Sequence, residues 1–130
     1  MNQLLVKKEN INKIVPSDIT VRLEYGVAKL LCEIVLKNLS RDTNLKYTCV
    51  RPFNITGPQQ NGELGFIFPR FVKQCLNNKP MTVYNSGKQK RTFTHVADFV
   101  DAIYMIMESN SKNEIFNVGN PKNTTTILNL

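Results

Sequence analysis

The stretch RLEYGVAKLLCEIVL, residues 22–36, decides how the chain is read. Tyr25 and Lys29 stand four residues apart, so a helix places them as neighbours on one face. Apolar residues recur at helical spacing from Val21 to Leu39, with one stripe through Val27, Leu30, Leu31, Ile34 and Val35. The Tyr25/Lys29 face lies opposite and continues into Cys32 and Leu36. Only Arg22, Gly26, Glu33 and Lys37 form a polar strip. A helix apolar on two sides is expected to be covered on two sides, by a sheet and by a partner subunit.

A phenol beside an ammonium suits acid/base chemistry, because the positive charge favours the phenolate over the phenol. The plainer alternative is an aromatic ring packed on an aliphatic lysine stem. Tyr84 and Lys88 repeat the spacing across the turn-forming NSG, where no helix fits, so spacing alone carries little.

Outward from this helix, residues 1–20 are polar, contain Pro16 and read as loop. LKYTCV (45–50) is a strand that ends at Arg51-Pro52. An Asn/Gly/Pro-rich loop follows, and a helix fits FIFPRFVKQCLNN with Phe68, Phe71, Val72 and Cys75 on one side. MTVY and RTFTHV read as short strands. ADFVDAIYMIMES reads as a helix with Phe99, Ile103 and Ile106 inward, and EIFNVG as a strand. NTTTILNL resembles a helix start with a threonine cap. This alternation is α/β.

The 130 residues carry a formal charge of +7, which suits polyanionic partners, whether nucleic acid or phosphate-bearing small molecules. Against a nucleic-acid-binding domain, the aromatics do not interleave with the cations as a stacking platform requires. Cys32, Cys49 and Cys75 are widely spaced and odd in number, which argues against disulfides or zinc and for a reducing cytoplasm. The N-terminal MNQLLVKKENINK lacks the apolar core of a signal sequence, and no apolar run is long enough to span a bilayer. His95, the only histidine, has no ligand partners, so no metal site is expected. Beyond the strand 45–50, Pro52, Phe53 and Asn54 fall where open α/β sheets collect ligands. Tyr84 and Arg91 flank a cation-rich turn that could offer a stacking face beside a diphosphate-binding group.

Taken in this order, YGVAK, RPFNITGPQQ and FPRFVKQCLNNKPMTVYNSGKQKRTFTHVADFVDAI resemble the NAD-dependent epimerase/dehydratase family, the extended short-chain dehydrogenases/reductases that act on nucleotide sugars. The resemblance covers about residues 18–130. It implies a partial Rossmann-like doubly wound sheet, its C-terminal half, plus a smaller substrate-binding region. Residues 21–62 would be the remnant of the dinucleotide-binding domain and 63–130 the nucleotide-sugar region. It also implies that Tyr25 is the general acid/base, that Lys29 supports it and holds the nicotinamide ribose of NAD, and that Pro52 lines the nicotinamide. Asn54 would touch the nucleotide sugar, Tyr84 pack its base and Arg91 grip its diphosphate. A homodimer through the tyrosine helix is implied as well.

The departures are specific. None of the six glycines forms the Gly-rich cofactor turn, and the family's catalytic Ser/Thr would fall at or just before Met1. NSG stands in place of the usual Gly-Asp-Gly. The chain therefore reads as a central-to-C-terminal piece, inactive alone, poorly soluble or oligomeric, with open edges on the strand 45–50. The alternative reading is a non-catalytic module that keeps a nucleotide-sugar site or a dimer surface.

Overall fold

The computed structural model describes residues 5–8, 21–62 and 65–130. The chain runs β1 (Leu5–Lys8), α1 (Val21–Asp42), β2 (Thr48–Pro52), β3 (Ile55–Thr56), α2 (Ile67–Leu76), β4 (Lys90–Thr92), β5 (Thr94–His95), α3 (Val96–Glu108), β6 (Glu114–Gly119) and β7 (Thr124–Thr126). Short 3-10 turns at Pro121–Asn123 and Ile127–Asn129 flank β7.

The main sheet has the order β1-β6-β2. β6 lies parallel to β2, with Cys49 opposite Ile115 and Pro52 opposite Val118. A parallel pair needs a long crossover, and α2 and α3 lie within it. β6 therefore covers one of the two edges of β2 that the sequence left open. On its other edge β6 pairs antiparallel with β1, from Leu5 opposite Gly119 to Lys8 opposite Phe116. The N-terminal stretch read as loop thus contains a strand, and the rest of that reading, residues 1–4 and 9–20, lies outside the described residues. Two small ladders join the main sheet among the described residues: β3 parallel to β5, and β4 antiparallel to β7.

Among the described residues the core forms two clusters. Ala102 and Ile106 of α3 pack on Val118 of β6, with Val50, Phe99 and Phe116 around them. Ala102 and Val118 are wholly buried, and of the inward face expected through Phe99, Ile103 and Ile106, Phe99 and Ile106 join this cluster while Ile103 is half-buried outside it. The second cluster joins Phe71 of α2, Phe93 and Ile127, flanked by Ile67, Phe68 and Val83. Phe68 meets Phe93 edge-on at 4.8 Å, a favoured aromatic geometry. Val72 and Cys75, expected beside Phe71, face solvent instead.

Three further expectations are corrected. MTVY forms no strand: the Thr82 amide donates to Gln74 Oε1 at 3.1 Å, and the Thr82 carbonyl accepts from Arg70 Nη2 at 3.1 Å. Helix side chains, not a ladder, take up its backbone groups. NTTTILNL begins as β7 paired to β4, and Thr126 precedes a 3-10 turn without capping it through its side chain. On α1, Glu33, assigned to the polar strip, is the side chain turned toward β2, where it meets Arg51. The stripe residues Val27, Leu31, Ile34 and Val35 are exposed.

Candidate active site

Tyr25 and Lys29 lie on α1, whose uninterrupted helix from Val21 to Asp42 fixes their common face. The Lys29 ammonium sits 5.5 Å from the centre of the Tyr25 ring. Both border a groove of about 670 Å³ between α1 and β2, shared with Leu30, Cys49, Val50 and Pro52. The sequence-derived residues Tyr25, Lys29 and Pro52 are thereby brought together.

The helix and the strand are joined under this groove by a bidentate ion pair. Arg51 donates from Nε to Glu33 Oε1 at 2.7 Å and from Nη2 to Glu33 Oε2 at 2.5 Å. The fork geometry of guanidinium on carboxylate fixes orientation as well as distance. Glu33 follows Lys29 by four residues, so the pair sets the rotation of the helix that presents Tyr25 and Lys29. Sequence reasoning missed this role; the available signal was a carboxylate in the middle of the apolar run LLCEIVL, four positions past the lysine. Burial raises the Cys49 thiol above its ordinary range; Glu33 adds to the shift, Arg51 opposes it and Cys32 adds a smaller push. Cys49 is accordingly a wall of the groove and not a ready nucleophile.

Asn54 sits just past β2 with a φ of 34°, a backbone setting that asparagine tolerates better than most residues. Its Nδ2 donates to the Thr92 carbonyl at 2.9 Å, and its own carbonyl accepts from Thr94 N at 3.3 Å. Phe53 N donates to the Val118 carbonyl at 3.0 Å, which carries the β2–β6 pairing one residue further. A Cβ on Gly119 would fall 2.8 Å from Phe53 Cδ2, so only glycine lets the ring lie there. Asn54 thus ties the loop after β2 to the β4–β5 segment.

Arg91 lies on β4 directly before Thr92, the residue that Asn54 grips, and opposite Thr125 of β7. Its Nη1 donates to the Lys90 carbonyl at 2.9 Å, and the side chain is otherwise exposed. Tyr84 stands across the turn 85–89, which reverses through Asn85 and Gly87 at positive φ. Its ring is exposed, and the Arg70 guanidinium from α2 lies over it, 4.6 Å from the ring centre. Arg70 is the second residue that the sequence reading passed over. The signal was an arginine inside the apolar run FIFPRFV.

His95 caps α3, its Nδ1 accepting from Ala97 N at 3.2 Å. It borders a second groove of about 660 Å³ with Pro58, Gln59, Phe68, Val72 and Leu76. Among the described residues, no three His, Cys, Asp or Glu side chains gather to hold a metal, and no helix is long and apolar enough to cross a membrane.

A family model described as the NAD dependent epimerase/dehydratase family matches residues 8–119. UDP-D-apiose/UDP-D-xylose synthase 2 of Arabidopsis thaliana is 30% identical over 98% of this chain and 36% of its own length. UDP-glucuronic acid decarboxylase 4 of the same plant is 35% identical over 84% of this chain and 24% of its own. The chain spans about a third of the length of the first curated relatives it matches. Among solved structures, the UDP-glucose 4-epimerase of Thermotoga maritima, with UDP-glucose, superposes with a TM-score of 0.72 at 32% identity, covering 80% of this chain and 33% of that one. The dTDP-glucose 4,6-dehydratase of Bacillus anthracis, in complex with NAD, shares the fold, with a TM-score of 0.76 at 21% identity over 93% of this chain and 38% of that one.

Proposed function

The chain belongs to the NAD dependent epimerase/dehydratase family, and from that premise we propose that it carries the acid/base pair and the sugar-nucleotide side of an enzyme acting on a nucleotide-diphosphate sugar. The observation that supports this most is the Tyr25–Lys29 pair, 5.5 Å from ring to ammonium, bordering the same groove as Pro52.

In this reading Tyr25 accepts the proton of a sugar hydroxyl, and Lys29 stabilises the phenolate side of that exchange. The phenol, the ammonium and the apolar walls of Val50 and Pro52 fit the nicotinamide–ribose end of NAD. When bound, NAD supplies the hydride acceptor. Asn54 Oδ1 meets the sugar, the Tyr84 ring meets the base, and Arg91 offers its charge to the diphosphate. Residues 21–62 serve the cofactor and residues 63–130 the substrate. The sequence has no Gly-x-Gly-x-x-Gly turn to cradle a pyrophosphate, so the adenosine end of NAD is held by residues other than these 130. These residues alone therefore bind NAD weakly and turn over no sugar. The exposed stripe of α1 fits a second copy of the chain, and free cysteines fit a reducing cytoplasm.

Titration calorimetry of the purified chain with UDP-glucose, dTDP-glucose and NAD⁺ tests this reading. Nucleotide-sugar binding with little or no heat from NAD⁺ is the expected result. Micromolar NAD⁺ binding would show that the cofactor site is complete without a Gly-rich turn. Silence toward both sugars would remove the substrate side of the proposal.

A further inference from the structure

Arg70 is held in a way that its own hydrogen bonding does not explain. Its Nε is buried with no hydrogen-bond partner among the described residues, a state that costs free energy. One guanidinium nitrogen, Nη2, donates to the Thr82 carbonyl at 3.1 Å. Its Cζ lies over two rings, 4.6 Å from the centre of Tyr84 and 5.7 Å from that of Phe71. The segment carrying Tyr84 is itself bound to α2: Gln74 donates to Thr82 Oγ1 at 2.8 Å and accepts from Thr82 N at 3.1 Å. Beyond the ring, the Tyr84 carbonyl accepts from Gln89 Nε2 at 3.3 Å. No ladder holds residues 81–84; α2 does.

We infer that Arg70 is a positioning residue that sets Tyr84 as a rigid shelf for the flat base of a nucleoside diphosphate. The inference rests on the nucleotide-sugar reading above. One face of the Tyr84 ring is covered by the guanidinium, yet the residue is 61% exposed, so the opposite face is the one offered to solvent. A ring already fixed loses little freedom when a base stacks on it, which favours binding. The planar, delocalised guanidinium is suited to this, because it stacks on an aromatic face where the compact ammonium of lysine does not. Arg91, on β4 past the turn, is left to meet the phosphates, and the two arginines divide the nucleotide between them.

The test is a double-variant cycle with UDP as the probe, read by titration calorimetry on the full chain. Arg70→Lys keeps the charge and loses the plane; Tyr84→Ala removes the shelf. The expected result is UDP binding about ten-fold weaker in Arg70→Lys, weaker by at least as much in Tyr84→Ala, and no weaker in the double variant than in Tyr84→Ala alone. Losses that multiply in the double variant, or parent-like binding by Arg70→Lys, would overturn the inference while leaving the nucleotide-sugar reading intact. A parent chain that binds no UDP would overturn both. Should Arg70→Lys fail to fold, the proton spectrum of the parent chain decides. The Arg70 side-chain protons resonate upfield from the Tyr84 ring current and shift on UDP addition if the stack is real, and stand at ordinary positions if it is not.

Discussion

Replacing Glu33 by glutamine would test how α1 is held. Arg51 donates twice to Glu33, at 2.7 and 2.5 Å, and the two side chains are 29% and 14% exposed. At about 4 Å and an effective dielectric near 20, the bare attraction is about 4 kcal/mol. Desolvation of both ions and screening at the half-open edge offset much of this. Glutamine keeps one acceptor for Arg51 but turns an amide N–H toward the second guanidinium donor. The expected loss is about 2 kcal/mol, between the values for exposed and buried pairs. In urea unfolding, with a slope of about 2 kcal/mol/M, the midpoint falls by about 1 M. A second readout is chemical. Glu33 helps hold the Cys49 thiol protonated, whereas Arg51 favours the thiolate. Glu33→Gln therefore lowers the thiol's pKa and speeds its alkylation at pH 8. The apolar double variant Glu33→Leu/Arg51→Met should recover most of the stability, since no charge is left unpaired. A midpoint shift below about 0.2 M in Glu33→Gln, with Cys49 alkylation unchanged, would refute the assignment of this pair as the clamp between α1 and β2.

Three further outcomes are expected. Because burial, with Glu33 and Cys32, raises the Cys49 thiol in the folded chain, the folded state holds that proton more tightly than the unfolded state. Its contribution is complete below the ordinary thiol range near 8.5 and is lost as pH rises through the elevated folded value, so Cys49→Ala should flatten the alkaline loss of stability seen by urea unfolding. Gly87→Ala forces a side chain into φ +65° and puts its Cβ 2.7 Å from Leu128 Cγ and Val83 Cγ1; a loss of about 3 kcal/mol is expected, read as a drop in melting temperature. The α1 stripe of Val27, Leu31, Ile34, Val35 and Leu39 is between 41% and 57% exposed. Covering it with a second copy should contribute roughly 1 kcal/mol per side chain, so light scattering should find a dimer that Leu31→Asp/Val35→Asp converts to monomer.

The elements legible in the sequence are those whose pattern and packing agree. β2, α3 and β6 fall close to where pattern placed them, because Val118, Ala102 and Ile106 with Val50 give their apolar faces partners; α1 falls in place on its helical periodicity although its apolar stripe stays exposed. The errors arise where side chains replace the backbone ladder. MTVY has strand composition, but Gln74 and Arg70 take up the Thr82 amide and carbonyl, an interaction between segments that local pattern cannot express. Leu5–Lys8 is too short to signal a strand by itself and is defined by the edge of β6 that it meets. Glu33 was placed with solvent-facing charges because a helical wheel records angle and not the arginine waiting on the neighbouring strand. The site is legible to the same degree. Tyr25, Lys29 and Pro52, singled out by residue type and resemblance, border one groove, while Arg70 emerges only once the Tyr84 segment is seen folded back on α2.

The most direct measurement is amide chemical-shift mapping of the isotopically labelled chain during titration with UDP-glucose. Shifts concentrated at Phe53–Asn54 and across residues 82–92, with those of Tyr25–Lys29 smaller, are the expected result for a sugar nucleotide seated on Asn54, Tyr84 and Arg91. Shifts confined to the groove beside His95, or none at millimolar ligand, would contradict it.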